Sequence, residues 1–288
     1  MIGKRSEKNG GFVLVLVLLV LAVLLAMAVD FAYGVYVNVS GLHNLDTLQT
    51  LSTEGSSLID SSANVFLQAL AQGGIPLDGE DMTLPVDDGT TVHFVAVDEN
   101  GKFNLNTLVQ PNGDLNKDAY QSFKRLLKAL NMDETIADKV VYWINPAAVP
   151  DAQVKENSKR GYLDSTEELG LFIDKASYDT LKNYVTVYGD GLININSAQA
   201  PVLMSLSDSI SQDLAERIIE RRKLEPFKNV GELSQVAGFE NLGLQLVQYI
   251  TATSSAIRVT ASAERDGLDR TVEGVMDPTG KILFWREN

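Results

Sequence analysis

From Phe12 to Val29 the chain runs without a single charged residue, built almost wholly of Val, Leu and Ala, and Asp30 ends the run. A helix of this composition is close to the ~20 apolar residues needed to cross a bilayer. Lys4, Arg5 and Lys8 precede it, which holds that side in the cytoplasm by the positive-inside rule. Three fates fit the segment. It could be a secretory signal peptide removed after Ala26-Met27-Ala28. It could be a plain signal anchor. It could also be trimmed on its cytoplasmic side and kept.

The residues at the start of the run favour the third fate. Gly10-Gly11-Phe12 followed by Val13-Leu14-Val15-Leu16 resembles the junction of type IV prepilins, where a basic leader ends in glycine and the mature chain begins with phenylalanine. The resemblance implies cleavage by a prepilin peptidase between Gly11 and Phe12 and N-methylation of Phe12. A glycine before the cut lets the peptidase approach the backbone closely. Most pilins and pseudopilins carry glutamate as the fifth mature residue; here that position is Leu16. A carboxylate inside a membrane helix is costly unless it meets a cation. In the family that cation is the N-terminal amine of a neighbouring subunit. A subunit without the glutamate belongs at a filament end. This departure resembles the K-type minor pseudopilins of type II secretion systems.

After Asp30 apolar residues recur at three- to four-residue steps, from Phe31, Val35 and Val39 through Leu42, Leu45, Leu48 and Leu51 to Leu70. That is the pattern of a helix with one buried face, and Gly73-Gly74-Ile75-Pro76 ends it. Thr90 to Val97 reads as a strand. Asn100-Gly101 reads as a hairpin turn, and Lys102 to Asn106 as the returning strand. A second strand group closes the chain: Ala256 to Ala263, Thr271 to Met276 and Lys281 to Trp285. The stretch between the two groups is mainly helical, with runs at Tyr120 to Leu130 and Thr135 to Trp143. The fold class expected is therefore α+β. The resemblance implies a pilin-like fold, with a long N-terminal transmembrane and amphipathic helix packed on a small antiparallel sheet and a large inserted α-helical domain. The expected divisions are a leader at 1–11, a membrane part at 12–29 and the helix and first strands of the head at 30–107. An insertion at 108–250 and returning strands at 251–288 follow.

Phe103-Asn104-Leu105-Asn106 resembles the stretch that opens the insertion in K-type relatives. Further on come Ile193-Asn194-Ile195-Asn196, Val202-Leu203, Arg217-Ile218, Arg221-Arg222, Pro226-Phe227 and Gly231-Glu232-Leu233. These resemble the helix-hairpin-helix arrangement of competence-type DNA receptors, over 190–250. Asn194 and Asn196 are suited to bonding nearby backbone. Leu203, Ile218, Phe227 and Leu233 supply apolar contacts. Arg217 and Arg221 can cap carbonyls or pair with glutamates. DNA-binding hairpins grip phosphate with a glycine-rich turn, but the turn here is Leu206-Ser207-Asp208-Ser209-Ile210-Ser211. A net charge of −14 further disfavours nucleic acid.

No cysteine is present, so thiol chemistry is excluded. His43 and His93 have no motif around them. No catalytic triad, P-loop, dinucleotide fingerprint or zinc motif occurs, and no enzyme is expected. Cofactors and metals are not expected either, although the resemblance brings in calcium, a hard cation that takes several oxygen ligands. Asp87, Asp88, Asp114, Asp118, Asp133 and Glu134 are the residues that could join such a site. The function expected is that of a minor pseudopilin at a pseudopilus tip, with its head in the periplasm and its helix in the bacterial inner membrane. Its partners would be the major and other minor pseudopilins, the prepilin peptidase, and secreted cargo or the outer-membrane channel. A minor pilin of a type IV pilus and a membrane-tethered DNA-uptake receptor are the alternatives.

Overall fold

The computed structural model describes residues 78–85, 91–149, 157–265 and 268–287. The leader, Gly11, Phe12, Leu16, the apolar run and the amphipathic helix after it lie outside the described residues, as do His43, Asp87 and Asp88. Among the described residues no helix is long and apolar enough to cross a membrane.

A five-stranded antiparallel sheet joins the two strand groups. It consists of β1 (Asp78–Pro85), β2 (Thr91–Asp98), β7 (Ile257–Arg265), β8 (Leu268–Met276) and β9 (Ile282–Glu287), in the order β1-β2-β7-β8-β9. Alternation along each strand sorts the side chains onto two faces. Ala96, Ile257, Val259, Ala261, Val272 and Met276 form an apolar cluster on one face, with Trp285 packed against it. The register places Ala96 opposite Val259 and Ala261 opposite Val272. Arg258, Glu273 and Arg286 occupy intervening positions on the other face.

The chain between β2 and β7 builds a second body with its own, larger core. Asn116 caps α1 (Lys117–Ala129), its side chain accepting from the Ala119 N–H at 3.3 Å. Phe123, Leu126 and Leu127 fall at helical spacing and are fully buried. They share the larger core with α2 (Ile136–Ile144), which buries Ala137, Val140, Val141 and Ile144. Each such Phe, Leu, Val or Ile side chain contributes about 1.5–3 kcal/mol by leaving water. Further helices are α3 (Lys175–Leu181), α4 (Ala200–Ser205), α5 (Gln212–Leu224) and α6 (Leu242–Leu246). Phe103 stacks on Phe123 with centroids 5.4 Å apart, and Trp143 on Phe172 at 5.1 Å. Two short parallel ladders tie the ends of this body together. One pairs β3 (Phe103–Asn104) with β4 (Val185–Thr186), the other β5 (Ile193–Asn194) with β6 (Ile250–Thr251).

One expectation is overturned. Asn100-Gly101 is not a hairpin turn: β2 pairs with β1 and β7, while β3 turns away to pair with β4. The Asp98 carboxylate accepts from the Asn100 N–H at 2.9 Å and winds residues 99–101 into a tight 3₁₀ turn. Neither Asn100 nor Gly101 takes the positive φ that a two-residue hairpin turn requires. Gly101 serves close approach instead. A Cβ there would lie 2.9 Å from Ser197 Oγ and 3.2 Å from the Ser197 carbonyl carbon. Gly101→Ala is therefore expected to cost about 1–3 kcal/mol through overpacking, read as a lower urea midpoint with an unchanged slope.

Candidate functional site

The 98–101 turn is where the sheet meets the inserted body, and it is polar yet buried. Asp98, Glu99 and Asn100 are each no more than 2% exposed, which is tolerated only when every polar atom finds a partner. The Asn100 Nδ2 donates to the Asp190 carboxylate at 2.8 Å and to the Leu192 carbonyl at 3.0 Å. Its Oδ1 accepts from the Ser255 and Ala256 backbone N–H groups at 2.7 and 3.2 Å, and from the Ser255 hydroxyl. One side chain thus joins the end of β2, the loop before β5 and the entry to β7. That loop reaches Asn100 because Gly189 and Gly191, at φ +85°, bend the chain on both sides of Asp190.

Asp98 faces the same junction. Its carboxylate accepts from Asn194 Nδ2 at 2.7 Å and from the Ser197 hydroxyl. Burial pushes the carboxyl above its ordinary value, while hydrogen bonds from Ser197, Ser254, the Asn100 backbone and Asn194 pull it back. Glu99 is held the other way. Burial alone would raise it, but Lys102 and Arg258 overcome that and set it at about 2. Lys102 Nζ lies 2.9 Å from Glu99 and Arg258 Nε 2.8 Å, and Thr186 donates its hydroxyl to the same carboxylate. Arg258 also bonds Glu273. Arg286 joins Glu273 to Glu167 of the inserted body, the latter at 2.9 Å. Charges alternate in sign from Lys102 through Glu99, Arg258, Glu273 and Arg286 to Glu167. Tyr188 and Phe284 lie within 5.5 and 6.0 Å of the Arg258 guanidinium, a distance at which a cation is attracted to the ring face.

The two carboxyls have opposite linkage. The Glu99 value of about 2 lies below the ordinary 4.5, so its contribution is complete above pH 4.5 and lost as pH falls from there towards 2. The span corresponds to about 3 kcal/mol. Asp98, raised above 3.8, contributes fully below that value and loses its contribution as pH rises through its folded value. The acid limb of a stability–pH curve is therefore expected to flatten in Glu99→Gln. Urea titrations of both proteins across this window check it.

The hairpin-like residues start from this junction at Asn194. Asn194 bonds Asp98, and its Oδ1 accepts from the Asn196 N–H. Asn196 clamps the far end of the segment by donating to the carbonyls of Phe227 and Ala252 and accepting from the Phe227 N–H. Leu203, Ile218, Phe227 and Leu233 are buried in the larger core. Arg217 donates to the Ala237 carbonyl and pairs with Asp213, and Arg221 donates to the Glu225 carbonyl. Arg222 reaches furthest, to the carbonyls of Ile195 and Ala198 at 3.0 and 2.7 Å. At the turn, Asp208 pairs with Arg125 of α1 at 3.0 Å.

The carboxylates considered for calcium do not converge. Asp114 accepts from Asn112, Asp118 from Tyr249 and Asp133 from the Thr135 N–H, and Glu134 pairs with Lys124. Among the described residues no group of three or more His, Cys, Asp or Glu side chains is placed to hold a metal. His93 contacts Asp81 at 3.1 Å.

The sequence reading missed Asp98, Glu99, Asn100 and Arg258 as a unit. Their nearest-neighbour chemistry is that of a turn and a strand, and their partners lie roughly 85–160 residues away. The missed signal was two acids beside an asparagine at the end of an apolar strand, with an arginine in the middle of another.

Two family models, each described as type II secretion system protein K, match this chain at residues 101–190 and 193–254. Together they span just over half of its length, and their boundary falls at the Gly191 bend. The chain belongs to the type II secretion system protein K family. Protein K of Pseudomonas aeruginosa is 28% identical to it, across 59% of this chain and 60% of the relative. The alignment thus spans about three-fifths of that protein. Among solved structures, a chain in the crystal structure of the GspK-GspI-GspJ complex from the enterotoxigenic Escherichia coli type 2 secretion system has a similar fold. The TM-score is 0.67 at 17% identity, covering 87% of this chain and 99% of that one. The K-family fold is thus a mixed sheet-and-helix architecture, and the junction at 98–101 lies where the first family match begins.

Proposed function

We propose that this K-family chain is a minor pseudopilin placed at the tip of a type II secretion pseudopilus. In this reading a prepilin peptidase removes residues 1–11. The helix beginning at Phe12 stays in the inner membrane, and the acidic head stands in the periplasm. Residues 108–250 form an insertion into a pilin-like head that closes with 251–288. The solved Escherichia coli complex holds GspK together with GspI and GspJ. By that likeness the chain starts filament assembly beside other minor pseudopilins, and then meets the channel or the cargo.

The observation that carries the tip position is Leu16. A glutamate at the fifth mature position would need the amine of a neighbouring subunit to offset its burial in lipid. Leucine makes no such demand, so no neighbour is required on that side. The buried junction supports a mechanical role, because bonds from one turn to several distant segments fix the insertion to the sheet. Membership of the protein K family favours a secretion pseudopilus over a type IV pilus.

Filaments carrying a gold-labelled antibody to this head test the reading. Label at one end of each filament is expected. Label along the filament length would refute the tip position.

A further inference from the structure

An open cleft of about 570 Å³ lies on the inserted body and shares no lining residue with the junction. That volume is within the ~300–1,000 Å³ that holds small ligands. Three turns wall it: residues 109–113, 144–147 and 160–162. Val109 and Ile144 give an apolar floor, and Pro111, Pro146 and the partly exposed Tyr162 ring stand above it.

Hydrogen bonds across the turns preform these walls. The Tyr162 hydroxyl donates to the Val109 carbonyl at 3.2 Å, and Asn145 Nδ2 to the Gly113 carbonyl at 2.8 Å. Arg160 is fixed from behind. Its backbone takes a φ of 55°, uncommon for a residue with a side chain. Its N–H, the Lys159 N–H and the Ser158 hydroxyl all donate to the Trp143 carbonyl near the end of α2. The Arg160 guanidinium, by contrast, is exposed at the cleft and makes no ion pair or hydrogen bond with any described residue.

A largely apolar slot with one guanidinium that no described residue pairs is complementary to a particular chemistry. We infer that the cleft binds a short extended segment of another protein, in which a single carboxylate sits among apolar residues and prolines. A free inorganic anion would find one cation, exposed at an open cleft. A second copy of this chain is disfavoured, because each copy carries a net charge of −14. That repulsion acts weakly on a short peptide, which carries a single charge. The site stands independently of the chain's position in a filament.

The test uses the full mature chain in detergent micelles. The probe is a pool of short fluorescent peptide amides of Leu, Val, Ile, Tyr and Pro with one central glutamate. A matched pool carries glutamine. The glutamate pool is expected to bind about tenfold tighter, the scale of one charge-assisted hydrogen bond. Arg160→Gln should erase that preference with an unchanged unfolding midpoint, and Tyr162→Ala should weaken both pools. Equal binding of the two pools, no binding, or a preference that survives Arg160→Gln would overturn the inference. So would a concentration-dependent dimer abolished by Arg160→Gln, which would place a second copy in the cleft.

Discussion

Arg258→Met is expected to destabilise the head by about 3–5 kcal/mol, the range seen when one partner of a buried ion pair is removed. The arginine lies 2.8 Å from a Glu99 carboxylate that has no exposed surface. It also bonds Glu273. Methionine would replace the bulk of the stem but leave Glu99 with Lys102 as its remaining cation. The Glu99 carboxyl should then titrate upward, towards its ordinary 4.5, and the acid limb of the stability curve should flatten. Adding Glu99→Gln should recover part of the loss, because it removes the stranded charge. Urea unfolding of the two single variants and the double variant measures that coupling. Losses that simply add would mean that the pair does not act as a unit.

Asn100→Ala is expected to separate the two bodies. It strands the Ser255 and Ala256 N–H groups and the Leu192 carbonyl. Each buried unsatisfied group costs about 1–3 kcal/mol, so the total loss is roughly 3 kcal/mol or more. The two tryptophans make the separation visible. Trp143 sits on α2 of the inserted body and Trp285 on β9 of the sheet. In single-tryptophan backgrounds of the native junction, both should report one transition. In Asn100→Ala the two midpoints should part, the signature of lost two-state behaviour. Coincident midpoints in the variant would show that the junction does not hold the bodies together.

Much of the architecture was legible because it is local. Alternation in Ala256 to Ala263 and helical spacing of Phe123, Leu126 and Leu127 are nearest-neighbour patterns, and both became the elements they signal. Asn194 and Asn196 were expected to bond nearby backbone, but only the bond from the Asn196 N–H to Asn194 is local; Asp98, Phe227 and Ala252 lie 31–96 residues away. The junction was not readable. Asp98, Glu99 and Asn100 have the side chains of a surface turn, and only contacts with residues near 190 and 258 make them interior. Gly101 misled in a related way. Asparagine followed by glycine signals a hairpin through backbone freedom, whereas this glycine is needed for the close approach of Ser197. The cleft at Arg160 left no pattern at all, since its walls come from three turns that are separate in sequence.

A role in a filament depends on a helix that stays with the mature chain after a cut at its cytoplasmic end. Mass analysis of the N-terminal peptide, from protein extracted out of the membrane, tests this most directly. The expected species begins at Phe12 and carries an added methyl group on its amine. A chain that begins near Val29, shed into the medium without its apolar segment, would contradict it.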